Sequence, residues 1–69
     1  MSNVIEIDQH LVEQSHVLRQ RAVSLRHQAD ALTTPLASAY RRRASELEFE
    51  AWISELQAGV PYDQVQPAA

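Results

Sequence analysis

Apolar residues return every seven positions through the first half of this chain, at Val4, Leu11, Leu18, Leu25 and Leu32, and small ones return at the same interval through the second, at Ala37, Ala44, Ala51 and Ala58. Seven residues make almost two turns of α-helix, so each series lies along one side of a rod and offers a continuous stripe for burial against another rod. A second line flanks each stripe. Ser15, Ala22 and Ala29 fall four positions after Leu11, Leu18 and Leu25, and Tyr40, Leu47 and Ser54 alternate with the alanines. The pattern predicts an all-α chain, an antiparallel two-helix hairpin whose copies pair into a four-helix bundle.

The breaks in the pattern set the expected boundaries. Asp8 is a good N-cap, and Ile7 with Val12 has the spacing of a hydrophobic staple, so the first helix should run over about 8–32 after an extended segment 1–7. Thr33-Thr34-Pro35 is the turn signal. Thr34 suits an N-cap and Pro35 the first helical position, where a missing N–H is harmless, which predicts a turn at 33–34 and a second helix over about 35–58. Gly59 fits the left-handed position after a helix and Pro61 cannot continue one, leaving 59–69 as an extended or flexible tail.

Leu11, Leu18, Ala22, Leu25, Ala29 and Leu32 of the first helix, with Ala37, Tyr40, Ala44, Leu47 and Ala51 of the second, form the expected helix–helix seam. Small residues at alternate positions permit close approach, with leucines of one helix filling space over alanines of the other. A further apolar line, Phe49, Trp52, Ile53 and Leu56, is offset from the alanines and needs another cover. Two helices bury one stripe each, so this aromatic flank is read as a partner or dimer interface.

Composition reinforces the need for company. A chain of 69 residues has little core of its own. It has no cysteine for a disulfide, and its three histidines lack the companions of a structural zinc site. His16 and His27 share a side of the helix but lie about 16 Å apart at 1.5 Å per residue. No metal and no cofactor is expected. Residues 1–20 include Glu6, Asp8 and Glu13 and no long apolar run, so a cytoplasmic protein without a membrane span is expected.

Charge sharpens the picture. The net charge is −3, but Arg19, Arg21, Arg26, Arg41, Arg42 and Arg43 all fall within residues 17–45, with Asp30 the single acid there. Folding at the turn makes a polarised rod, arginine-rich at the tip and carboxylate-rich at the open end. Two such rods should therefore pair with their turns at opposite ends, as an antiparallel homodimer. Arg26, Arg41, Arg42 and Arg43 form a candidate patch for an anionic partner, since guanidinium groups grip phosphates bidentately. This raises a second reading, a small nucleic-acid-binding regulator. The negative net charge and Glu46, four residues after Arg42, weigh against it.

Catalysis finds no footing. Glu46, Glu48 and Glu50 alternate along a helix and point apart, Ser15 and His16 are adjacent and diverge, and the single glycine, Gly59, excludes a glycine-rich phosphate loop. The expected function is a small non-catalytic protein–protein interaction module, an adaptor or accessory protein that binds itself, an unidentified protein, or both. In shape alone the hairpin is similar to plasmid RNA-regulatory hairpin dimers and to small secretion-chaperone hairpins; no residue motif carries either likeness.

Overall fold

Asp8 opens the first helix. In a computed structural model of the chain, which describes residues 6–65, its carboxylate accepts from the backbone N–H groups of His10 at 3.0 Å and Leu11 at 3.3 Å, capping α1, Gln9–Ala29. A turn leads to α2, Thr34–Gln57, and a 3-10 turn, Tyr62–Gln64, follows it. The two helices pack antiparallel, and no strand occurs among the described residues. Val4 of the leucine series and residues 66–69 of the tail lie outside the described residues.

Both ends of the turn differ from the expected bounds. α1 stops at Ala29 rather than Leu32, because Ala31 and Leu32 donate to the carbonyls of Gln28 and Ala29 and tighten residues 30–32 into a turn. The first bond of α2 runs from the Ala37 N–H to the Thr33 carbonyl at 2.8 Å. That makes Thr33 the N-cap, one residue before the expected Thr34, with Pro35 still inside the first turn, where donors have no helical acceptor.

The far end of α2 closes in a Schellman arrangement. Gly59 takes φ +94°, its N–H donates to the Leu56 carbonyl at 3.1 Å, and Val60 reaches back to the Glu55 carbonyl at 3.2 Å. The chain entering α1 is tied to the same place, since the Asp8 N–H donates to the Ala58 carbonyl at 2.8 Å.

At the centre of the seam the small residues meet. Ser15, Ala22 and Ala29 of α1 and Ala37, Ala44, Ala51 and Ala58 of α2 are each no more than 3% exposed. Leucines filling space over alanines were expected; Leu11, Leu18, Leu25 and Leu32 are partly buried beside the small residues rather than at the centre of the seam. The reason is steric. When both helices carry a small-residue line, their backbones draw together along it and longer side chains are displaced sideways. Leu18 and Leu25 pack there against Ala22, Ala44 and Leu47, the one leucine of the set that is buried. The described hairpin is elongated, since the 24 residues of α2 span about 36 Å.

Candidate interaction surfaces

The seam has two edges of opposite chemistry. Along one, Arg19 grips Glu55, with Nη2 at 2.7 Å and Nε donating at 2.8 Å to the same Oε1. One heptad further, Arg26 pairs with Glu48 and donates to Ser45 Oγ at 3.1 Å; beyond that Arg41 reaches Asp30 at 3.3 Å. Each of these glutamates and its arginine lies four residues after a buried small residue, Ser15 and Ala22 on α1 and Ala44 and Ala51 on α2. The pairs therefore recur with the helical period and close this edge. Glu55 is buried, and its pairing and hydrogen bonding to Arg19 offset the cost of taking the group out of water.

The other edge carries Leu11, Leu18, Leu25 and Leu32 from α1, with Tyr40, Leu47 and Ser54 from α2. A groove open to solvent runs beside them, lined by Arg21, Ser24, Leu25, Gln28, Arg43 and Leu47. No cross-helix ion pair spans this edge among the described residues.

The aromatic flank occupies a third place, the side of α2 away from α1. Phe49 and Trp52 stack with ring centroids 5.7 Å apart at 38°. Phe49 is 51% exposed, while Trp52, Ile53 and Leu56 are partly buried. The flank spans two turns of helix at the open half of the rod.

Arg26, Arg41, Arg42 and Arg43 are not gathered into one patch. Arg26 and Arg41 belong to the ion-paired edge. Arg43 points to the other side of α2, 3.0 Å from Glu46 and 3.8 Å from Glu50. Arg42 stays exposed on the outer face, and it and Arg21 form no ion pair among the described residues. A carboxylate thus already sits beside most of the tip's positive charge.

Ser15 and Ala58, members of the recurring small-residue lines, complete the seam, and one contribution escaped the sequence reading: Arg19, Glu48 and Glu55 form its polar edge. The signal was present: Arg19 and Arg26, like Glu48 and Glu55, are seven apart and follow the small residues by the same step. Ser15 is satisfied locally, its Oγ donating to the Val12 carbonyl at 2.7 Å.

Among the described residues, no cluster of three or more His, Asp or Glu side chains is placed to hold a metal ion, and no helix is long and apolar enough to cross a membrane. Comparison with protein-family models, curated proteins and solved structures gives no match.

Proposed function

We propose that this protein is a small non-catalytic interaction module, an adaptor that self-associates as an antiparallel homodimer in a four-helix bundle and docks a protein partner. The observation that carries this reading is the leucine stripe left partly exposed along a hairpin that has no third layer among the described residues. The distribution of charge favours turns at opposite ends. The half towards the turn holds Arg21, Arg26, Arg41, Arg42 and Arg43 against Asp30, Glu46, Glu48 and Glu50, while the open half holds Glu6, Asp8, Glu13, Glu55 and Asp63 against Arg19. Antiparallel pairing brings unlike halves together.

Internal pairing of Arg26, Arg41 and Arg43 leaves few cations for phosphates, which disfavours a nucleic-acid regulator. Thermal melts at a series of protein concentrations test the proposal, because a folded state stabilised by association melts higher when concentrated. A midpoint independent of concentration would remove self-association. Tight binding of labelled DNA or RNA that collapses with added salt would replace the adaptor by the regulator.

A further inference from the structure

We infer that the Arg19–Glu55 and Arg26–Glu48 pairs form a rotational lock, which holds each helix turned with its small-residue line toward the other and keeps a second seam, centred on the leucines, from forming. The inference concerns a single copy of the chain and does not depend on self-association.

The two seams are written side by side on each helix. Four residues of α-helix turn through about 400°, so a side chain four positions on lies about 40° round the axis. On α1 the lines therefore run in the order Leu11, Leu18 and Leu25, then Ser15, Ala22 and Ala29, then Arg19 and Arg26. The second helix repeats the order, with Tyr40, Leu47 and Ser54, then Ala44, Ala51 and Ala58, then Glu48 and Glu55. A turn of about 40° by both helices would bring the leucine-bearing lines to the centre and leave the antiparallel course unaltered.

That alternative has a driving force. Leu11, Leu18 and Leu25 are only partly buried, whereas the line that holds the centre is made of alanine and serine. Leucine withdraws more apolar surface from water than alanine does, so apolar burial alone favours turning the leucines inward. The polar border opposes it. Glu55 is 8% exposed and receives Arg19 through Nη2 at 2.7 Å and Nε at 2.8 Å, and Arg26 bridges Glu48 and Ser45 Oγ. After the turn these side chains would stand roughly 80° from the line of contact, on the outer faces, and neither pair could close across the seam. The pairs therefore act in one packing and not in the other, which is the condition for selecting between them.

The sequence has no cysteine, so a single introduced thiol reports the rotation. Ser15→Cys places it on the central line and Leu18→Cys on the leucine line. The rate of reaction with a soluble disulfide reagent is read for each in the full chain, with helix content followed by circular dichroism. With the native pairs, the thiol at position 15 should react at least about tenfold more slowly than the thiol at position 18, because a buried thiol is inert. Glu48→Gln with Glu55→Gln should speed the first by roughly tenfold and slow the second, since the two lines exchange places. In the Ser15→Cys chain, Arg19→Glu should likewise expose the thiol, and Glu55→Arg added to it should restore protection. Rates unchanged by the glutamine substitutions would show that the alanine contact holds the rotation unaided, and would overturn the lock. A rise in both rates would do the same, being a loosening of the whole hairpin and not a turn, as would a reversed pair that leaves the thiol at position 15 exposed. Should the double glutamine variant lose its helix content, Glu48→Gln alone gives the reading: opposite changes support the lock, and changes of one sign or none overturn it.

Discussion

At Gly59 the backbone adopts φ +94°, and a Cβ built there would meet the Glu6 carbonyl oxygen at 3.1 Å. Both facts penalise any side chain, so Gly59→Ala should lower stability by about 1–2 kcal/mol, read from chemical denaturation. Ser15 is the opposite case. It is buried, but its hydroxyl bonds only to a carbonyl three residues back in its own helix, and alanine is the better helix former by about 0.5 kcal/mol. Ser15→Ala should be neutral or raise stability by up to about that amount; a marked loss would mean the hydroxyl holds something across the seam. Glu55 stands between these extremes. Its side chain and that of Arg19 are 10% and 15% exposed, so Glu55→Gln replaces a charge-assisted contact by a neutral one in a sheltered place and should cost about 1–3 kcal/mol. The corresponding change at Glu48, whose partner Arg26 is 40% exposed, should cost no more than about 1 kcal/mol.

Each helix could be seen in advance, but not its orientation about its own axis. The sevenfold recurrence of leucine and alanine, Asp8 ahead of one run and Gly59 after the other, marks helical segments because those signals are local and act through hydrogen bonds a few residues long. Two parallel lines compete for the centre of the seam, however, the leucines and the small residues four positions away. Which line wins depends on how close the opposing backbone comes, a property of neither helix alone. The alanines win, with Ala44 and Ala51 fully buried. Ala51→Leu or Ala44→Leu should therefore force the helices apart and cost about 1–3 kcal/mol by thermal or chemical melts; unaltered melting would place those methyl groups in solvent.

Along the whole rod, charge acts through its distribution on the axis. In the proposed antiparallel dimer the arginine-rich half of one hairpin would meet the carboxylate-rich half of the other, so association is expected to weaken as salt is added, because screening removes a net attraction between opposite ends. Hairpins with their turns together would show the reverse sign, since salt would relieve repulsion. Sedimentation at low and high ionic strength reads the sign directly. The arginine patch was less legible than this polarity. Consecutive arginines on a helix fan out over separate faces, and the faces they reach had carboxylates waiting on the same or the neighbouring helix, as Arg43 does beside Glu46 and Arg41 beside Asp30.

Periodicity, caps and the proline at the turn were enough to dictate two helices and their antiparallel course, since each is written in residues no more than one or two turns apart. The choice of the small-residue line as the contact, the closing of one edge by Arg19–Glu55 and Arg26–Glu48, and the stranding of the leucines on the other arose only when the rods met. Those outcomes depend on distances between residues as far separated as Arg19 and Glu55, and a linear pattern carries no information about the depth to which one helix sinks into another.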